Sequence, residues 1–308
     1  MSATRPIAAL FAVLSGMALI GFVDNFVVVI AEEAGLWQFH LMRSLIALPL
    51  IFVLSMMGMG SLRPLSLWAV SIRSFFVAGS MILYFGTLAF LPIAQVAAGL
   101  FTSPIFVLLI SALVLRMQVG PVRLFAALVG FAGVLMVLRP DAGGVGPANV
   151  VPVAAGLLYA IGAIVTRRWC AAESTASMLT GFFLALGIFG ALGAALLALF
   201  PQVAEPGAAG FVLRSWAPAT QTFLFWTVVQ ALGSIVAVGL LIKGYQWADA
   251  SYVAVFEYSL LIWVALWAFV LRGETVDRIA LFGIALIILS GAFIAMRSRD
   301  AAEALPVQ

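Results

Sequence analysis

Apolar residues fill the chain in blocks of about twenty, and short clusters of polar, glycine and proline residues separate the blocks from residue 6 to residue 296. A helix needs a block of that length to cross roughly 30 Å of hydrocarbon at about 1.5 Å per residue. A transmembrane barrel would show short alternating segments, so the pattern predicts helices. Ten spans follow: 6–30, 35–57, 70–90, 92–113, 121–138, 148–167, 175–199, 220–242, 248–271 and 277–296. The breaks carry turn-forming stretches, among them EEAG at 32–35, GMGSLRP at 58–64 and RPDAGGVGP at 139–147. The expected fold is an all-α membrane protein with ten transmembrane helices.

The composition agrees. Of 308 residues 65% are hydrophobic and 9% charged, and the mean hydropathy is +1.22; soluble domains are about half apolar and about a quarter charged. The net charge of +3 comes from scattered basic residues, which gives nucleic acid no footprint. The one cysteine, Cys170, excludes an internal disulfide and a cysteine metal site. The amino terminus runs into a full-length span with no convincing cleavage site and reads as a retained helix.

Basic residues set sidedness. With the amino terminus inside, the cytoplasmic side receives Arg5, Arg63, Arg73, Arg116, Arg123, Arg167, Arg168, Lys243, Arg297 and Arg299. The opposite side receives Arg139, Arg214, Arg272 and Arg278, and ten against four predicts both termini in the cytoplasm.

The halves echo each other. LPIAQVAAGLFTSPIFVLLISALVLRMQVG, before LFAALVGFAGVLMVL, matches WADASYVAVFEYSLLIWVALWAFVLRGETV, before IALFGIALIILSGAFIA. Position 94 then pairs with 250, Pro104 with Leu260 and Arg116 with Arg272. Five spans per unit is an odd number, so the two units, 1–140 and 141–308, would be inverted five-helix repeats. Secondary transporters commonly have this architecture, with the substrate site near mid-membrane between the repeats.

On these residues the chain resembles the drug/metabolite transporter superfamily, specifically the EamA-like exporters of two five-helix repeats. The matching pieces are GFVDNF in span 1, FHLMRSLIALPL in span 2 with Arg43 at the usual arginine, LAFLPIAQVAAGLFTSPIFVLLISALVL, and LIKGYQWADASYVAVFEYSLLIWVALWAFVLRGETV, whose Gly273-Glu274 resembles the family's Gly-Glu after the ninth helix. Within the superfamily the resemblance points to the aromatic amino acid exporters. It implies a carrier in the cell (inner) membrane that moves amino acids or related metabolites outward by alternating access. Drug carriers and nucleotide-sugar carriers share the fold, and a channel is the more distant alternative. The chain departs from the pattern at Arg116-Met117-Gln118, where Gly-Glu is frequent, and at Phe22-Val23-Asp24, where tryptophan and small residues are usual.

Polar side chains at membrane depth supply the candidate chemistry, because an ionised group in hydrocarbon must face a cavity or find a partner. Glu257 sits about nine residues into span 9, roughly 14 Å deep by helical rise, and its counterpart in the first half is Phe101. It would recognise a substrate ammonium or couple protons, or else pack against Tyr159, Gln230 or another donor. Tyr258, matched to Thr102, faces about 100° away from Glu257. Asp24 and Asn25 lie toward the outer end of span 1, at a depth comparable with His40 and Arg43, so an Asp24–Arg43 bond is expected, with both residues as gate or scaffold and His40 in the cavity. Ser80, Tyr84 and Thr87 make a polar stripe on span 3, either lining a cavity or tying helices. Pro104 frees a carbonyl near Leu100 for a ligand or a hinge. Lys243, Tyr245 and Trp247 at the inner boundary read as an interfacial belt or a cytoplasmic mouth. One histidine, one cysteine and no paired carboxylates argue against an enzyme, a metal and a cofactor. The expected partners are the lipid bilayer, a small-molecule substrate and protons as coupling ion, with the chain acting as a monomer.

Overall fold

A computed structural model describes residues 5–87, 93–138, 150–273, 275 and 277–303, with their side chains except at 93–95, 272 and 294–303. The described residues contain helices and no strands: α1 (Pro6–Asp24), α2 (Val27–Glu33), α3 (Leu36–Met56), α4 (Leu67–Thr87), α5 (Ile93–Leu100), α6 (Ser103–Leu109), α7 (Pro121–Leu138), α8 (Val150–Trp169), α9 (Thr175–Leu199), α10 (Gln221–Trp247), α11 (Ala250–Glu257), α12 (Ser259–Arg272) and α13 (Arg278–Glu303). Among the described residues nine helical stretches are long and apolar enough to cross a membrane. α13 adds a further apolar stretch over the residues whose side chains are described, Arg278–Phe293. The predicted repeat boundary at 140/141 and Glu274 lie outside the described residues.

Three predicted spans are interrupted. Span 1 breaks between α1 and α2, where the Asn25 side chain donates to the Gly21 carbonyl at 2.6 Å while the Asn25 and Phe26 amides fall back to carbonyls three residues away, Phe22 and Val23. A side-chain donor competing for a helix carbonyl loosens the regular ladder. Span 4 breaks between α5 and α6: Pro104 has no N–H and its ring crowds the Leu100 carbonyl, and the Thr102 amide bonds back to Gly99 at 3.1 Å. A five-residue π-helical stretch, Ile110–Val114, follows α6. Span 9 breaks at Tyr258, between α11 and α12, without a proline. Thr102 and Tyr258 are the two positions the repeat alignment pairs, so both halves break at the same place.

Packing partners also repeat. α1 packs on α10 and on α12, α4 on α8 and on α9, α3 on α9 and on α10, α5 and α6 on α8, and α13 on α7. The first span therefore meets the eighth and the ninth, and the sixth meets the third and the fourth. Glycines permit the closest approaches: a Cβ on Gly133 would stand 2.6 Å from the Gly283 carbonyl, and one on Gly193 would stand 2.0 Å from the Trp37 ring.

Polar contacts tie each end of the bundle. At the end holding Arg5, the Arg5 amide donates to the Trp247 carbonyl at 2.8 Å, Gln246 donates to the carbonyls of Cys170 and Glu173, and Asp249 lies 3.2 Å from Arg123 and 3.7 Å from Arg167. At the other end the Leu36 amide donates to the Phe211 carbonyl at 2.7 Å, and Gln38 exchanges two hydrogen bonds with Ala217. Two expectations change here. Lys243, Tyr245 and Trp247 belong to α10, which runs five residues past the predicted end at 242. Arg73, counted with the cytoplasmic basic residues, is a buried residue of α4, 4% exposed, inside a helix that starts at Leu67.

Candidate functional site

A cavity runs between the two halves. Its walls come from α1, α3, α4, α5, α6, α8, α9, α10, α11 and α12, so both sequence halves contribute. Aliphatic and aromatic side chains dominate the lining, and polar groups interrupt it at a few points.

Glu257 is 3% exposed at the end of α11 and lines the cavity. The Tyr159 hydroxyl on α8 donates to its Oε1 at 2.7 Å, which ties α8 to α11 within the second half. Counted from Ala250 the carboxylate lies about 11 Å along the helix, somewhat shallower than the sequence implied. Tyr245, expected at the membrane interface, lines the cavity with its buried hydroxyl unpartnered. Gln230 donates to the Val23 carbonyl at 3.0 Å and to Asp24 Oδ1 at 3.5 Å, and both Gln230 and Asp24 face the cavity. Tyr84 and Phe101 line it as well.

The expected Asp24–Arg43 bond is absent. Asp24 is bonded to Gln230, while the Arg43 guanidinium lies over the rings of Phe39 and Phe183, 5.2 and 5.7 Å from their centroids. Burial against aromatic faces stabilises the cation without an acid in contact.

Other predicted residues stand outside the lining. Asn25 is spent on the Gly21 carbonyl, Thr102 donates to Gly99 at 2.6 Å, and Ser80 donates to Ala155 at 2.8 Å, which ties α4 to α8. Tyr258 is fully buried, with its hydroxyl 3.5 Å from the Ala127 carbonyl on α7 and its ring edge-on to Phe101. His40 packs between Phe39 and Phe85 with neither ring nitrogen hydrogen-bonded. Pro104 acts on the α5–α6 break while its neighbour Ser103 lines the cavity, and Lys243 and Trp247 sit near the closed Arg5 end away from it.

Arg73 is the cavity residue the sequence reading placed elsewhere. Its Nε donates to Thr166 Oγ1 at 3.3 Å and its Nη1 to the Met178 carbonyl at 3.2 Å, with the guanidinium 5.9 Å from the Phe182 ring centre. Arg73, Val77, Met81 and Tyr84 follow each other at spacings of four, four and three along α4, one face of a helix. The stripe seen at Ser80 and Tyr84 could have been extended back to it.

No protein-family model matches the chain. It is 28% identical to a riboflavin transporter of Rhizobium johnstonii over 306 residues, 97% of this chain and 94% of the relative. An S-adenosylmethionine uptake transporter of Rickettsia bellii is 25% identical over 72% of each chain, and a pseudopaline exporter of Pseudomonas aeruginosa is 25% identical over 80% of this chain and 82% of the relative. A solved crystal structure shares the fold, with a TM-score of 0.74 and 20% identity over 94% of this chain and 98% of that one. The named relatives are transporters and not enzymes, and with the run of apolar helices they mark the chain as a multi-pass membrane protein of transporter type.

Proposed function

We propose that the protein is a secondary transporter that carries a small, ring-bearing metabolite through the central cavity by alternating access. The observation that carries this is a cavity walled by both halves, with Glu257, Asp24, Arg43 and Arg73 set in an otherwise apolar and aromatic lining. Charged groups at such depth mark substrate pathways. The repeated packing of first span on eighth and sixth on third, and the paired breaks at Thr102 and Tyr258, support two inverted units of five spans, with α13 as the tenth. Breaks beside the cavity are where a rocking half would bend. Without Arg73 the basic residues of the two sides stand nine against four, which still favours both termini in the cytoplasm of a cell-membrane carrier working as a monomer.

Riboflavin is the first cargo to test, on the name of the relative that spans nearly the whole chain. Aromatic amino acids are the second. Carboxylates and guanidiniums facing one cavity suit a molecule with an ammonium and a carboxylate, and the relatives include both uptake and export proteins. Counterflow in proteoliposomes loaded with riboflavin or with phenylalanine, tyrosine or tryptophan tests the proposal. Saturable exchange of one of them is the expected result; conductance without saturable exchange of any would refute a carrier. Glu257→Gln and Glu257→Ala both exchanging like wild type across a range of pH would remove Glu257 from recognition and proton coupling.

A further inference from the structure

Transport alone leaves the two buried arginines without an assignment. We propose that Arg43 and Arg73 form an oxyanion subsite on one wall of the cavity, so that the carried molecule presents a carboxylate or a phosphate to them. The cargo follows from the transport reading above, whereas the subsite itself is a matter of binding.

A guanidinium keeps its charge and carries five N–H donors and no acceptor. Both guanidiniums belong to side chains 4% exposed, both face the cavity, and neither has a carboxylate within 4.0 Å among the described residues. Arg73 uses two donors, on Thr166 and Met178. Arg43 makes no hydrogen bond to another described residue, and its Nε is buried without a partner. The aromatic faces beneath them hold the cations without consuming an N–H. Arg43 lies over Phe183 and Arg73 over Phe182, consecutive residues of α9 whose ring centres are 5.1 Å apart, so one helix backs both cations.

The acids of the cavity bond to other donors: Glu257 takes the Tyr159 hydroxyl and Asp24 takes Gln230, on helices α8 and α10, and Asp24 attracts Arg43 through space without contact. A buried cation with unused donors is costly. An oxyanion matches the planar fork, often through two parallel bonds, and would satisfy both charge and donors. Carboxylate and phosphate share this chemistry.

Purified protein at constant ionic strength would be titrated with two matched pairs, phenylalanine against phenylalanine amide and riboflavin 5′-phosphate against riboflavin, and the ligand-dependent rise in Tm read as affinity. The member of at least one pair that carries the oxyanion should bind about tenfold or more tighter than the member that lacks it. Which pair shows the preference separates a carboxylate from a phosphate cargo. The preference should be lost in Arg43→Gln and Arg73→Gln and partly kept in Arg43→Lys. Arg43→Gln breaks no protein hydrogen bond, so it keeps the test open should Arg73→Gln fail to fold. Equal affinities within both pairs, no binding of either acid, or a preference intact in both glutamine variants would overturn the subsite. Exchange of neutral riboflavin with no preference for acids refutes the subsite and leaves the carrier standing. Acids that bind the purified protein while none of the four compounds exchanges in proteoliposomes refute the carrier and leave the subsite standing.

Discussion

Removing the Tyr159 hydroxyl isolates the bond that ties α8 to α11 through Glu257. The donor and acceptor are 2.7 Å apart, the length of a hydroxyl bonded to a carboxylate, and Glu257 is only 3% exposed. Tyr159→Phe leaves a buried carboxylate short of its donor, and Glu257→Gln replaces the acid by an amide of the same shape. A hydrogen bond to a charged group contributes about 1.5–3 kcal/mol. Equilibrium unfolding in mixed micelles of wild type, both single variants and the double variant gives a coupling free energy, and about 1.5–3 kcal/mol is expected, a factor of roughly ten to 150 in the equilibrium constant. In transport the same single changes should raise KM for the cargo, because the carboxylate they disturb lines the cavity. A coupling below about 0.5 kcal/mol, within the scatter of independent sites, would refute the bond as a structural tie.

Other changes give sharp expectations. Gly193→Ala would set a methyl 2.0 Å from a Trp37 ring that is held by its indole bond to the Val212 carbonyl, so a loss of about 1–3 kcal/mol is expected in the same unfolding assay. Gly79→Ala, which meets only Leu158 Cδ1 at 3.7 Å, should be neutral or slightly stabilising and serves as its control. Burial pushes the Cys170 thiol, just beyond the end of α8, up to about 11, and the side chain is 0% exposed. It should resist maleimide near pH 8 in the folded protein and react on unfolding. Since the unfolded thiol ionises first, its contribution to stability is full below about 9 and declines as pH rises toward 11. Arg116 holds a left-handed backbone, φ 53°, so Arg116→Gly should raise stability by about 1 kcal/mol.

Much of this was legible in the chain. Apolar blocks of membrane length and rare polar residues inside them pointed to helices and to Glu257, Tyr159, Tyr84 and Gln230, all of which line the cavity. Arg73 escaped because it stands near the start of the predicted span 70–90 and was counted with the cytoplasmic basic residues, whereas α4 already begins at Leu67 and buries it. Asn25, Ser80 and Thr102 look like ligands in sequence, but short polar side chains can turn onto a nearby backbone carbonyl, and only the fold shows that they do. Pro104 announces the break in the first half. The break at Tyr258 has neither proline nor glycine to signal it, and only the alignment of the halves pairs the two. The Asp24–Arg43 pairing was inferred from similar depth, which fixes height along the bundle and leaves the direction around each helix open.

A water-filled chamber shared by both halves is the claim on which the carrier stands, and cysteine accessibility measures it. On a Cys170→Ser background, single cysteines would replace Val77, Ala163 and Ser234 in the cavity wall and Leu192 and Leu289, 63% and 62% exposed on the outer surface of the bundle. A charged, membrane-impermeant thiol reagent applied from either side should label the three wall positions and spare the two surface ones, which face lipid. Wall cysteines that stay unlabelled from both sides, under every condition of substrate and pH, would contradict the chamber.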